Sequence, residues 1–309
     1  MPIAFLEVLV GVVILSRAGD DFVEGAVGLA TSVRLSPVLV GAVIIGFGTS
    51  VPEMVVSGIA AYNGDLDLGV GNVVGSNVAN LSLVLAVAAL IVPVLVTRAV
   101  LAREAPTAVL AVILFAYLAS DGLSTTDGII LLMCLALVLV WVVGGARDDR
   151  HVTAGSDGSG VWRHAGRTGV GLAGTVAGAQ LLVWGAMAVA SRLGLTGGFI
   201  GFTLVAAGTS VPELATAVIA ARKKQTDLIL GNLLGSNVFN SLAVGGLIAV
   251  ISPGAIRSEG LRTVGLMTMV GVTILAWVAM VTRRRVHRLE GAVLVVCWVA
   301  AVVGLASVE

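Results

Sequence analysis

Residues 48–80 read GTSVPEMVVSGIAAYNGDLDLGVGNVVGSNVAN, and residues 208–240 read GTSVPELATAVIAARKKQTDLILGNLLGSNVFN. The two stretches align without a gap at an offset of 160, and 18 of the 33 positions are identical. Many of the identities are Gly, Thr, Ser, Pro, Glu and Asn, types that contact with lipid does not select. The chain is therefore an internal duplication, and the rest of it is read around that repeat.

Its 309 residues are 58% apolar and 12% charged, with a mean hydropathy of +1.06. A soluble domain has about 45–50% apolar and about 25% charged residues. The composition excludes an ordinary soluble enzyme, a disordered chain and a nucleic-acid binder. Eighteen basic residues balance eighteen acidic ones, so no bulk charge recruits a polyanion. Cys134 and Cys297 sit in apolar runs and read as packing residues. The N-terminus has no basic region or small-residue cleavage site, so no cleaved signal peptide is expected.

A spanning helix needs about 20 mainly apolar residues. Ten candidates follow, at 3–32, 36–62, 68–92, 104–120, 127–145, 168–192, 197–221, 227–251, 262–281 and 288–307. The first holds Arg17, Asp20, Asp21 and Glu24, yet its partner in the repeat is continuous, so one long helix is expected. With both termini outside, the inside loops carry fourteen Lys or Arg residues and the outside loops three. That asymmetry favours this orientation in the cell membrane. The stretch 146–167 reads as a flexible cytoplasmic linker between a first unit, 1–145, and a second, 168–309. At 22 residues it is too short for a folded sensor domain. Five spans separate equivalent points of the repeat. The fold class is thus all-α and polytopic: ten helices in two inverted five-helix repeats, with helices 2, 3, 7 and 8 broken. Transporters on this plan bind substrate where discontinuous helices of the two halves meet.

Glu53 and Glu213 lie within apolar spans, where a lone acid costs about 2.5–3.5 kcal/mol or more. The preceding Gly48-Thr49-Ser50-Val51-Pro52 and Gly208-Thr209-Ser210-Val211-Pro212 should interrupt each helix, because proline lacks an N–H and clashes with the preceding turn. Carbonyls around Gly46 and Phe47, and around Ala206 and Ala207, are then expected to be released. The second motif is Gly71-Asn72-x-x-Gly75-Ser76-Asn77-x-x-Asn80, repeated from Gly231 to Asn240. Gly71 and Gly75 have the spacing of close helix approach. Ser76 and Asn80 share one helix face, which can point at the two acids. Asn72, Asn77, Asn232 and Asn237 can instead bond the broken backbone of neighbouring helices.

Two glutamates offer up to four oxygens, and two carbonyls bring six, within the roughly 6–8 that Ca²⁺ takes. No thiol or imidazole joins the cluster; His151, His164 and His287 fall in expected loops, which disfavours softer metals. Hydroxyls and carbonyls without a third acid suit Na⁺ at adjacent subsites. A membrane-embedded enzyme would need a nucleophile and base, which the spans lack. An open channel fits broken helices around a compact site less well than a transporter does.

GTSVPE followed by GNxxGSN, present twice in inverted halves, resembles the α-repeats of the sodium/calcium exchanger branch of the cation/Ca²⁺ antiporter superfamily. Gly19-Asp20-Asp21-x-x-x-Gly25-Ala26 is similar to a first-helix motif of that family. The resemblance implies Ca²⁺ export coupled to Na⁺ entry by alternating access, with no cofactor and no catalysis. It implies ion ligands at Thr49, Ser50, Glu53, Ser76 and Asn80, and at Thr209, Ser210, Glu213, Ser236 and Asn240. Backbone oxygens at Gly46 and Ala206 would complete the Na⁺ sites. It also implies that the long first and sixth helices slide across the other eight. Relatives that co-transport K⁺ carry an acid where this chain has Asn240, so K⁺ coupling is not expected. Proton-coupled relatives replace the hydroxyls of GTSxPE; this chain keeps them twice. Na⁺ coupling is therefore expected, with H⁺/Ca²⁺ antiport through the same glutamates as the alternative.

Overall fold

The computed structural model describes residues 2–32, 41–145, 160–192 and 206–306. Most of the expected linker, 146–159, lies outside the described residues. The first helix, α1, runs unbroken over Pro2–Ser32. Asp20, Asp21 and Glu24 are accommodated because cations from other elements meet them. Arg167 Nη2 lies 2.7 Å from Asp21 and 2.6 Å from Glu24, and Lys223 Nζ lies 3.0 Å from Asp20 and 2.8 Å from Glu24. Each pair is partly solvated and worth little by itself. Together they neutralise charge that would otherwise interrupt an apolar helix.

The repeat then organises the chain. Helices α2 (Gly46–Thr49) and α3 (Val51–Tyr62) are separated by one residue, Ser50, with φ −85 and ψ 7. A π turn, Gly41–Ile45, leads into α2. A left-handed turn at Gly64, φ 77, reverses the chain into α4, Leu66–Ile91, which carries a π turn at Asn80–Val84. Strand β1 (Val94–Leu95), α5 (Val100–Ala119) and α6 (Thr125–Gly145) complete the first part.

The sixth long element, α7, spans Val161–Arg192 and so begins before the expected 168. It contains His164, which the sequence placed in a loop. Tertiary contact explains the extension: His164 packs against Gly28 of α1, and Arg167 holds the α1 acids. Next come α8 (Ala206–Thr209) and α9 (Val211–Arg222), separated by Ser210 at φ −84 and ψ 6. The turn into α10 (Thr226–Ile251) is again left-handed, now at Lys224 with φ 58, and α10 has its π turn at Asn240–Val244. Helix α11 (Leu261–Arg283), strand β2 (Arg285–Val286) and α12 (Arg288–Ala306) follow.

The expected all-α class holds apart from the two-residue strands, which pair antiparallel with Val94 opposite Val286. A comparable loop pairing joins Leu123 and Gly254 through reciprocal bonds of 2.9 and 2.8 Å. Among the described residues, α4, α5, α10 and α11 are long and apolar enough to cross a membrane. The apolar windows of α4 and α10 are 78% buried against 39% for α5 and α11, so α4 and α10 form the centre. Their neighbours there are α2, α3, α8 and α9.

Helices α1 and α7 lie along each other and touch the rest mainly through α9. The pairing depends on small residues. A Cβ at Gly171 would meet the Phe22 backbone nitrogen at 2.4 Å, and one at Gly25 would meet the Thr168 nitrogen at 2.6 Å. Nothing lies within 4 Å of a Cβ at Gly169 on the same helix. Gly171→Val should therefore force α1 and α7 apart and cost about 1–3 kcal/mol. A thermal melt of the purified protein checks this: Gly171→Val lowers Tm, while Gly169→Val leaves it unchanged or higher.

Candidate ion-binding site

Pro52 and Pro212 do not sit inside continuous helices. Each occupies the first turn of a new helix, α3 or α9, where its missing N–H costs nothing. Glu53 and Glu213 consequently stand in a first turn, where the positive end of the helix dipole favours a negative charge. Both side chains are fully buried.

The hydroxyls before each acid turn across the repeat. Ser50 Oγ donates to Glu213 Oε1 at 3.3 Å, and Ser210 Oγ donates to Glu53 Oε1 at 3.4 Å. Thr49 Oγ1 lies 3.2 Å from Asn232 Oδ1, and Thr209 Oγ1 lies 3.1 Å from Asn72 Oδ1. Each half thus binds the acid and the amide of the other. Ser76 Oγ is 3.4 Å from Thr209 Oγ1, and Ser236 Oγ donates to the Gly46 carbonyl at 3.1 Å.

The Gly46 oxygen was expected to be released, but it accepts both this hydroxyl and the Ser50 N–H, the latter at 3.3 Å. The helix interruption is one residue long, which lets the neighbouring turn retain its bond. Ala206 opens α8, and its side chain lies outside the described residues. Asn80 Nδ2 donates to Asn237 Oδ1 at 3.0 Å, and Asn237 Nδ2 donates to the Asn77 carbonyl at 3.2 Å, so amides cross-link α4 and α10. Asn240 is fully buried, and neither of its amide atoms has a hydrogen-bond partner among the described residues.

Close approach is required for this cluster at Gly235, the repeat equivalent of the expected Gly75, and not at Gly71. A Cβ at Gly71 would meet nothing within 4 Å, whereas one at Gly235 would sit 2.3 Å from the Ala42 carbonyl oxygen. Gly235 lets α10 press against the turn before α2, and its neighbour Ser236 reaches Gly46 as a result. The π turns at Asn80 and Asn240 were not legible in the sequence, since the local residues are ordinary helix formers. Single π turns inside α-helices often mark functional sites. Ser57, which carries no signal of its own in the sequence, lies four residues after Glu53 and accepts from Asn72 Nδ2 at 2.9 Å.

The cluster consists of two carboxylates, six hydroxyls, and amide and backbone oxygens, all hard donors. Among the described residues no three His, Cys, Asp or Glu side chains gather as they would at a transition-metal centre. Nor does any Lys or Arg ion pair reach Glu53 or Glu213 among those residues.

A family model described as sodium/calcium exchanger protein matches residues 3–144 and 164–306. The chain belongs to the sodium/calcium exchanger family. It is 36% identical to the putative antiporter CaxA of Alkalimonas amylolytica, over 97% of either chain. It is 28% identical to the sodium/calcium exchanger MaX1 of Methanosarcina acetivorans, over 99% of both. The solved structure of the sodium-calcium exchanger NCX_Mj superposes with a TM-score of 0.87 at 28% identity, covering 97% of this chain and 98% of that one. The protein is a membrane ion antiporter of the cation/Ca²⁺ class.

Removing one of two buried charges that balance a divalent cation costs about 2–5 kcal/mol, so Glu53→Gln and Glu213→Gln should each lower Ca²⁺ transport roughly 100-fold. Flux of ⁴⁵Ca²⁺ into vesicles, alongside a melt of each variant, checks this. Normal flux in either folded variant removes that glutamate from the site.

Proposed function

We propose that this protein exchanges Na⁺ for Ca²⁺ across the cell membrane by alternating access. The observation that carries the reading is the reciprocal clasp: two fully buried glutamates, each bound by a serine of the other half. The cargo is held by Glu53 and Glu213, by Thr49, Ser50, Ser76 and Asn80, and by Thr209, Ser210, Ser236 and Asn240. The Gly46 and Ala206 carbonyls complete the Na⁺ subsites, with the Ser236 hydroxyl turning away from Gly46 when an ion enters.

Ten spanning helices in two inverted repeats, 1–145 and 168–309, carry this site, with both termini outside and the 146–167 connection in the cytoplasm. The excess of Lys and Arg on the inside loops supports that orientation. A site of charge −2 is neutral with one Ca²⁺ and carries +1 with three Na⁺. Exchange at three Na⁺ to one Ca²⁺ is therefore electrogenic. The paired hydroxyls of Thr49-Ser50 and Thr209-Ser210 support Na⁺ as the coupling ion, because they supply neutral oxygens that a proton does not need.

The test uses purified protein in sealed vesicles. Na⁺-loaded vesicles accumulate ⁴⁵Ca²⁺, K⁺-loaded vesicles do not, and an inside-positive potential speeds uptake. Uptake driven by a pH gradient without Na⁺ overturns the Na⁺ coupling and leaves H⁺/Ca²⁺ antiport through the same two acids. Asn240→Asp adds a third acid to the cluster and should alter cation preference or introduce K⁺ dependence, measured in the same vesicles. Unchanged Na⁺, K⁺ and Ca²⁺ dependence removes Asn240 from the site.

A further inference from the structure

Beyond the ligands themselves, the hydrogen bonds behind them have a direction. Thr209 Oγ1 donates to Asn72 Oδ1 at 3.1 Å. The Asn72 amide nitrogen donates to the Glu53 backbone carbonyl at 3.2 Å and to Ser57 Oγ at 2.9 Å. Ser57 Oγ in turn donates to the Gly69 carbonyl at 3.5 Å. Backbone carbonyls only accept, so the chain runs one way: a flipped Asn72 amide would lose the Glu53 bond and could keep Ser57 only by drawing its proton away from Gly69. Its Oδ1 must face Thr209, and it draws the Thr209 proton toward itself. Ser76 Oγ, 3.4 Å from Thr209, is then the donor of that long contact.

The equivalent chain in the other half is cut short. Thr49 Oγ1, like Thr209 Oγ1, faces an amide oxygen, Asn232 Oδ1 at 3.2 Å, and it also reaches the Ile45 carbonyl at 3.0 Å, so the difference between the halves lies behind the amide. The position equivalent to Ser57 is Ala217, which is fully buried and carries no hydroxyl. Asn232 Nδ2, itself buried, has no hydrogen-bond partner among the described residues. Among the described residues nothing on that side bonds the amide nitrogen and so fixes which end faces Thr49. In the flipped orientation the NH₂ group donates to Thr49 and occupies a lone pair that a cation would use.

We infer that Asn72 and Asn232 are positioning residues for the two threonine ligands, and that the Ser57/Ala217 difference makes the Thr209 oxygen the better-oriented Na⁺ ligand of the two. The inference rests on the proposed Na⁺/Ca²⁺ exchange and on Thr49 and Thr209 as Na⁺ ligands. It adds a pair of residues outside the ligand set that tune Na⁺ binding without touching an ion.

The test installs and removes the missing hydroxyl. Ala217→Ser supplies a partner for Asn232 Nδ2, and Ser57→Ala removes one from Asn72. Two readouts are taken in vesicles: the internal Na⁺ concentration giving half-maximal ⁴⁵Ca²⁺ uptake, and Ca²⁺/Ca²⁺ exchange with no Na⁺ present. One buried hydrogen bond should move the Na⁺ requirement roughly 2- to 10-fold. Ala217→Ser is expected to lower it and Ser57→Ala to raise it, with Ca²⁺/Ca²⁺ exchange unchanged in both. A structural role alone would move both readouts together, and that result overturns the inference. So does an unchanged Na⁺ requirement in both variants while the unaltered protein exchanges Na⁺ for Ca²⁺. If the unaltered protein shows no Na⁺-driven uptake, the Na⁺/Ca²⁺ reading itself fails, and the inference with it. Asn72→Leu and Asn232→Leu serve as a second pair: where both fold, the former raises the Na⁺ requirement more than the latter.

Discussion

Two carboxylates buried side by side inside an apolar protein are the constraint on which the rest of this structure depends. An unpaired charge in such a place is costly, and two like charges together cost more. No Lys or Arg ion pair reaches them among the described residues. Their compensation is neutral and local: a helix N-terminus beneath each acid and a serine from the opposite half. A cluster of that kind retains a need for cations. The interrupted helices are the means of building it, because only a helix end offers unpaired N–H groups at that depth. The requirement also accounts for the proline in both copies, which occupies a first turn and keeps the new helix from joining the old one.

Duplication makes the arrangement nearly symmetric, and the departures from symmetry are informative. The turn that needs a left-handed residue uses Gly64 in one half and Lys224 in the other. The lysine before it, Lys223, ties α1 to the end of α9 through Asp20 and Glu24. At the offset of 160, Asn63 replaces Lys223, and Gln180 and Trp184 replace the two acids, so the other end has no equivalent tie. Ser57 against Ala217 is a smaller difference, but it sits behind a proposed ligand. In the proposed alternating-access cycle the two halves supply two related conformations. Residues that break the repeat are the ones able to make those conformations unequal in energy.

The parts of the site legible in the sequence were those with a signal independent of neighbours. Glu53 and Glu213 stood out because an acid in an apolar run is expensive wherever the helix lies. Pro52 and Pro212 announced an interruption because proline lacks a donor in any context. The long first helix could be expected despite Asp20, Asp21 and Glu24, but the reason for its survival could not, since Arg167 and Lys223 are distant in the chain. Gly71 and Gly235 belong to related motifs in the two halves, yet Gly71 meets open space and Gly235 meets Ala42. Spacing states that a glycine permits close approach, and only the packing decides whether a neighbour arrives. The helical start of α7, which includes His164, is hidden from the sequence for the same reason, as contact with α1 extends the helix beyond its apolar run.

The sequence by itself determined that this is a duplicated, helical membrane protein with two acids at equivalent interrupted helices. Composition, periodicity and repetition are properties of the chain, and covalent features such as the missing proline N–H act before any folding. Tertiary structure decided which oxygens meet. It placed Ser50 on Glu213 and Ser210 on Glu53, filled the Gly46 carbonyl with the Ser236 hydroxyl, and inserted π turns at Asn80 and Asn240. Hydrogen bonds act over about 3 Å, whereas these partners lie far apart in sequence. Their pairing is settled by how α4 and α10 pack against the broken helices, and no local pattern of residues encodes that distance.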